Sequence, residues 1–222
     1  MSNVNLLQIY QTLFEYFGHR HWWPGDTPFE ICVGAILTQN TNWKNVKRAI
    51  QNLKDARVLS YQAMRDTPME KLAELIRPSG YFNQKAKKLK AFLDFLSEEY
   101  RGSLSRMFRE STPILRKKLL TVKGIGPETA DSILLYAGNH KIFVVDLYTY
   151  RVVTRHGWMP EETSYDELQE FFQSAIPDDL ALYNDFHAQL VGVGAHFCRK
   201  TPRCEECPLK LFLPDSGSLE EA

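Results

Sequence analysis

Apolar residues recur at helical spacing along nearly the whole chain. Residues 6–17 carry this pattern near the start and read as a first helix. Residues 29–39 form a nearly continuous apolar run that includes the small residues Gly34 and Ala35, the pattern of a buried helix. Residues 43–53, 69–76 and 85–100 read as further helices. The last of these puts Ala86, Leu89, Phe92, Leu93 and Leu96 on one face and lysines on the other. A helix over 112–121 opens with Pro113 in its first turn, where a missing amide costs nothing. Helices over 128–137, 148–155, 165–175 and 178–195 complete the set. Val144-Val145 is too short to argue for a sheet. The turn signals, among them Pro24-Gly25-Asp26, Pro78-Ser79-Gly80 and Gly138-Asn139, are brief and join closely connected helices. The pattern predicts an all-α protein with helices packed on helices.

Composition adds limits to this picture. With 222 residues the chain has room for one large domain or two small interlocked ones. No apolar run is long enough to span a bilayer, and the start lacks a basic segment followed by an apolar one. The expectation is a cytoplasmic, nucleoid-associated protein with no membrane partner. Lys and Arg total 27, as do Asp and Glu, so net charge gives no support for a nucleic-acid partner. The distribution is uneven: Lys44, Lys47 and Arg48 cluster, as do Lys85, Lys87, Lys88 and Lys90, and Arg116, Lys117, Lys118 and Lys123. Taken alone, such clusters are ordinarily solvated helix faces.

The sharpest local signal is Lys123-Gly124-Ile125-Gly126-Pro127-Glu128-Thr129-Ala130, a glycine-bracketed turn between two helices. Glycine permits backbone angles that a side chain forbids and lets the main chain approach a ligand. Amides at the start of the second helix are then donors for a phosphate, reinforced by the helix dipole. Ile125 would anchor the turn in the core. On the glycines alone, a tight helix-helix connection without a ligand is an equally good reading.

The hairpin together with Val144-Val145-Asp146 resembles the helix-hairpin-helix, Gly-Pro-Asp superfamily of base-excision glycosylases, which includes endonuclease III. The resemblance covers most of the chain. Thr38-Gln39-Asn40-Thr41 stands at the family's duplex-wedge loop, and Gly80-Tyr81-Phe82-Asn83-Gln84-Lys85-Ala86 at its Gly-aromatic-x-x-Lys-Ala segment. It implies a two-lobed helix-hairpin-helix fold with a DNA-binding cleft between the lobes. One lobe is expected over 26–135, the other from 1–25 with 136–222. The implied partner is double-stranded DNA containing a damaged base, bound by a monomer. Asp146 matches the essential catalytic aspartate. A carboxylate there can stabilise an oxocarbenium-like sugar and orient or deprotonate the attacking water. An isolated aspartate at this place would simply cap the next helix, and Asp146 could do both. The hairpin through Lys123, Gly124, Ile125, Gly126 and Thr129 is expected to grip phosphate, with Lys85 nearby. Gln39 and Asn40 are expected to fill the space left by a flipped base. Members that also cut the strand carry a lysine, which forms a Schiff base, at the position of Glu128. Glutamate cannot form one, which implies base release without strand cleavage. Glu128 could line the pocket or pair with a lysine, and at a helix start it is favourable with no function at all.

His21-Trp22-Trp23-Pro24 and Trp43 are dense in aromatics near the wedge loop. Trp22, Trp23, Pro24 and Trp43 would stack on an alkylated, positively charged purine such as 3-methyladenine. Any one tryptophan could equally be a core residue. Trp-Trp-Pro, Thr-Gln-Asn-Thr and Arg-Pro-Ser-Gly resemble the bacterial 3-methyladenine glycosylase branch called MagIII. The rivals are a thymine or uracil mismatch glycosylase, a bifunctional lyase, and a non-catalytic structure-specific DNA-binding protein. Endonuclease III relatives often end in four cysteines that hold a 4Fe–4S cluster. Cys198, Cys204 and Cys207 match three of them, and Leu213 stands in the fourth place. The loop could fold without metal, hold a cluster through a non-cysteine fourth ligand such as Asp215, or bind zinc with His196. The expectation is no cofactor. Cys32, in an apolar helix, reads as a small core residue.

Overall fold

The structure, a computed structural model, describes residues 4–214. Asp215 lies outside them. Every regular element among the described residues is helical. The chain divides into two compact units, Trp23–His140 and a second one from Met1–Trp22 with Lys141–Ala222. These boundaries fall outside the 26–135 expected for the first lobe.

In the first unit the Pro28–Leu37 helix is central. Thr27 caps it, its hydroxyl accepting from Glu30 N at 3.1 Å, and Pro28 occupies the first turn. Its residues from Glu30 to Leu37 are all buried. A helix that is apolar on all sides needs neighbours on all sides. Trp43–Asp55, Phe82–Tyr100, Pro127–Ser132 and the turn over Ile133–Ala137 pack against it. The Trp43–Asp55 helix buries Val46, Ala49, Ile50 and Leu53 and leaves Lys44, Lys47 and Arg48 exposed, as its spacing predicts. The Tyr61–Asp66 and Leu104–Met107 helices were not predicted, being too short to display a period. The expected 128–137 helix is α-helical over Pro127–Ser132 and then widens into a π-helical turn over Ile133–Ala137.

Phe82–Tyr100 starts earlier than its pattern suggests, because Gly80 and Tyr81 both take positive φ and turn the chain into it. This start corrects the reading of Lys85. Its side chain is buried on the same face as Ala86 and Leu89. Nζ donates to Leu37 O at 2.8 Å and Ser79 O at 2.6 Å. A cation at the carbonyl end of the central helix satisfies an orphan acceptor and the helix dipole. Burial, with the charge of Lys88 adding, pushes its ammonium down to about 8. Lys85 is a helix cap and does not reach out to phosphate.

In the second unit, Leu6–Phe17 and Leu147–Arg155 both pack on the long Leu180–His196 helix. Phe143 stacks on Phe172 at 4.2 Å and meets Phe186 edge-on at 6.0 Å. Residues 142–145 are buried and form no strand. Side chains replace a sheet ladder there: Gln173 Oε1 accepts from Phe143 N at 2.8 Å, and Gln169 Nε2 donates to Phe143 O at 2.6 Å. Buried Asp185 anchors the segment leading to Trp22, accepting from Arg20 N at 2.8 Å and from the Tyr10 hydroxyl at 3.2 Å.

Candidate functional site

The hairpin joins the Thr112–Leu119 and Pro127–Ser132 helices. Val122 and Ile125 are buried and pin the turn, while Lys123 and Gly124 are exposed. Gly124 has φ +89°, and a Cβ there would lie 2.5 Å from Lys88 Cγ, so the position requires glycine on both counts. Gly126 leads into Pro127, and no side chain caps this helix start. Its first-turn amides are the kind of donor set that binds phosphate. Arg116 and Asp131 clamp the two helices, Nε to Oδ1 at 2.8 Å and Nη2 to Oδ2 at 3.1 Å.

The wedge loop is tied to this hairpin. Gln39 Nε2 donates to Gly124 O at 3.0 Å and to Thr129 Oγ1 at 2.9 Å, and Lys88 Nζ donates to Gln39 Oε1. Thr129 is buried, so its side chain holds the loop instead of contacting DNA as expected. The amide of Gln39 is likewise committed, whereas Asn40 beside it is exposed with φ +52°. Lys88 was not singled out in the sequence, and only its lysine cluster hinted at it.

A cavity in the first unit is lined by Trp23, Pro24, Gly34 and Trp43, with Glu30 and Lys54. Trp23 meets Trp43 edge-on at 5.1 Å and leans on Tyr136 at 5.4 Å. A Cβ on Gly34 would come within 3.2 Å of Trp23 Nε1, so the glycine lets the indole lie against the central helix. Three of the five expected pocket residues are brought together. Trp22 belongs to the other unit, and Glu128, exposed at the start of the hairpin's second helix, is not part of the lining. Glu30 and Tyr136 are additions that sequence did not single out. Lys54 Nζ lies 2.9 Å from Glu30 and 2.7 Å from Asp26, which balances charge on this wall.

Asp146 ends the buried 142–145 segment and caps the Leu147–Arg155 helix, its Oδ1 accepting from Thr149 N at 2.7 Å. Oδ2 lies 3.7 Å from Nε2 of the buried His187. Burial opposes ionisation of this carboxyl. The interaction with His187 and the hydrogen bonds from Thr149 outweigh burial and hold it below its ordinary range. The capping reading of Asp146 holds, and it is compatible with the catalytic one because the cap fixes the carboxylate. An ionised, oriented carboxylate can stabilise positive charge on a sugar or activate water. His187 was missed because it lies far along the chain with no local motif.

Cys198, Cys204 and Cys207 line an apolar cavity with Phe197, His156 and Leu213. Leu213, at the family's fourth ligand place, brings no donor. His196 is exposed and packs against Phe17 and Phe197 at 6.4 Å, so it does not join the cysteines. Among the described residues no three His, Cys, Asp or Glu side chains converge as a metal-binding set. Burial pushes the Cys207 thiol up to about 11, with Cys198 and Cys204 adding to the shift. The donor set present does not fit a four-thiolate cluster. Arg155 instead ties the loop, donating to Arg199 O at 2.6 Å.

Replacing Lys85 by methionine is expected to lower the thermal midpoint, because two buried carbonyls lose their donor at about 1–3 kcal/mol each. DNA binding by this variant should keep the wild-type salt dependence, whereas Lys123→Ala should reduce the salt slope by about one. Filter binding across a salt series tests both, and an equal loss of slope in Lys85→Met would return Lys85 to the phosphate contacts.

A family model described as "HhH-GPD superfamily base excision DNA repair protein" matches residues 33–178. Over 209 residues the chain is 47% identical to a Methanocaldococcus jannaschii chain named "Putative DNA repair glycosylase MJ1434", covering 93% of this chain and 94% of that one. The structure of H. pylori 3-methyladenine DNA glycosylase (MagIII) bound to 1,N6-ethenoadenine superposes with a TM-score of 0.77 at 32% identity, covering 86% of this chain and 98% of that one. A non-covalent endonuclease III–DNA complex shares the fold, with a TM-score of 0.81 at 21% identity over 95% of this chain and 94% of that one. No helix among the described residues is long and apolar enough to cross a membrane. A glycine-bracketed hairpin, followed by a buried segment that ends in a helix-capping aspartate, is accounted for by one lineage: the chain belongs to the HhH-GPD superfamily of base excision DNA repair proteins and is a DNA glycosylase.

Proposed function

We propose that this glycosylase releases alkylated purines, 3-methyladenine foremost, from double-stranded DNA and leaves the strand uncut. The observation that carries the first part is the Trp23–Trp43 pair, which lines a cavity with Pro24. Aromatic walls favour a flat, positively charged base, and an alkylated purine needs little acid assistance to leave. The 32% identity to a 3-methyladenine glycosylase over nearly all of that chain supports the same substrate class. Glu128 carries the second part. It stands on the hairpin helix where a lyase needs an amine. Hairpin amides and Lys123 would grip phosphate without reading sequence, and Asn40 would enter the stack at the wedge loop. Asp146 supplies the anion for the departing base's sugar. The C-terminal cysteine loop is proposed to fold without a cluster, held by its own packing and by Arg155.

The test is base release from dimethyl-sulfate-treated duplex DNA, with products identified by chromatography, beside duplexes carrying G·T and G·U mismatches. Free 3-methyladenine, with no product from the mismatches and no borohydride-trapped protein–DNA adduct, is expected. Trp43→Ala should slow release of the alkylated base by roughly tenfold or more, since stacking on one aromatic is worth about 1–3 kcal/mol. Thymine or uracil release with intact alkylated DNA would overturn the substrate assignment, and a trapped adduct would overturn the monofunctional one.

A further inference from the structure

We propose that His187 is a positioning residue for Asp146, holding one carboxylate oxygen while the helix start holds the other. The proposal rests on the reading of Asp146 as the acting carboxylate. Thr149 N fixes Oδ1 at 2.7 Å. A carboxylate fixed at one oxygen keeps a soft terminal torsion. A second contact at Oδ2 removes that freedom, and His187 Nε2 stands there at 3.7 Å. That separation suits a free enzyme whose catalytic contacts tighten when substrate binds. The ring has little freedom of its own. Its side chain is 5% exposed, and Phe143 meets it edge-on at 6.4 Å. It belongs to the Leu180–His196 helix, which packs on the helix that Asp146 caps.

Three other charged or titratable groups of the surrounding elements have partners elsewhere. Asp185, on the same helix, takes the Tyr10 hydroxyl from the Leu6–Phe17 helix, the Arg20 amide and Gln189. Arg151, on the helix capped by Asp146, donates to Gly194 O at 3.2 Å. From the Tyr165–Ala175 helix, the Tyr165 hydroxyl accepts from Val145 N at 3.4 Å. From the long helix, His187 faces the catalytic carboxylate. It offsets the cost of burying that charge.

The test compares His187→Ala and His187→Gln with wild type on dimethyl-sulfate-treated duplex DNA. Single-turnover base release by His187→Ala should fall roughly tenfold to a hundredfold, the scale of a misplaced catalytic group, with DNA affinity unchanged. The acid limb of its pH–rate profile should move to higher pH. His187→Gln keeps a donor near the same place and should recover most of the rate at neutral pH. A carbon-13 titration of the Asp146 carboxyl, which needs no substrate, should show its midpoint rising in His187→Ala. Unchanged rate and acid limb in His187→Ala would overturn the proposal. So would a rate loss that follows DNA affinity or thermal stability, with glutamine no better than alanine. Retained turnover in Asp146→Asn would instead overturn the reading of the carboxylate itself. If His187→Ala does not fold, His187→Gln and His187→Asn carry the comparison: glutamine, which can place its amide nitrogen near the position of Nε2, should outperform asparagine, and equal loss would overturn the proposal.

Discussion

Asp146→Asn is expected to lose base release by about a thousandfold or more while binding duplex DNA with an affinity within about threefold of wild type. Asparagine caps a helix as well as aspartate does, so Oδ1 can still accept from Thr149 N and the Leu147–Arg155 helix should start in the same place. What is lost is the negative charge, the one property an oxocarbenium-like sugar requires. Single-turnover kinetics beside a binding isotherm measure the two effects separately. Turnover near wild type would show that another group acts. Acid should mimic the substitution. Folding holds this carboxyl below its ordinary 3.8, so its contribution to stability is complete above about pH 4 and is lost as pH falls through the lower folded value. Activity should disappear in the same direction.

The second large effect is on stability. Asp131 is fully buried and receives two hydrogen bonds from Arg116, at 2.8 and 3.1 Å. Asp131→Ala removes the buried half of this ion pair, which typically costs about 3–5 kcal/mol. For a chain of this size that corresponds to a fall in the thermal midpoint of roughly 10 °C. Arg116→Lys, which keeps the charge, should lose less, though still a measurable amount, because an ammonium cannot reproduce the planar fork. Calorimetry of the two variants checks the order. Because the pair ties together the helices on either side of the hairpin turn, which is proposed to grip DNA, DNA affinity should fall in Asp131→Ala at temperatures where wild type still binds. A midpoint within a degree or two of wild type would show that the clamp contributes little.

The all-helical class was legible from apolar spacing, because long helices with one buried stripe repeat their pattern several times. The Leu6–Phe17 and Tyr165–Ala175 helices match their predicted spans to the residue. The hairpin was legible because glycine and proline act locally: the positive φ of Gly124 and the first-turn position of Pro127 depend on nothing distant. Lys85 was misread for the opposite reason. Its neighbours in sequence are solvated lysines, but its role is set by carbonyls of Leu37 and Ser79 that only the folded chain brings to it. His187 was invisible on the same ground, as was the carboxylate of Glu30 beside the tryptophans. Caps, turns and stripes are written in adjacent residues. Partnerships between helices are written nowhere locally, and His187 stands beside Asp146 through one of them.

The tie between Gln39 and the hairpin bears on how the enzyme meets undamaged DNA. A mobile loop would surrender conformational entropy each time it was ordered against a duplex, weakening every encounter. Here the ordering is finished during folding, since Gly124, Thr129 and Lys88 already hold the loop. Asn40 therefore travels with the hairpin turn as one part. On the proposed role of Asn40, each shift along the duplex would bring it to a new base pair in the same pose, and a damaged site would be distinguished by how readily that pair yields.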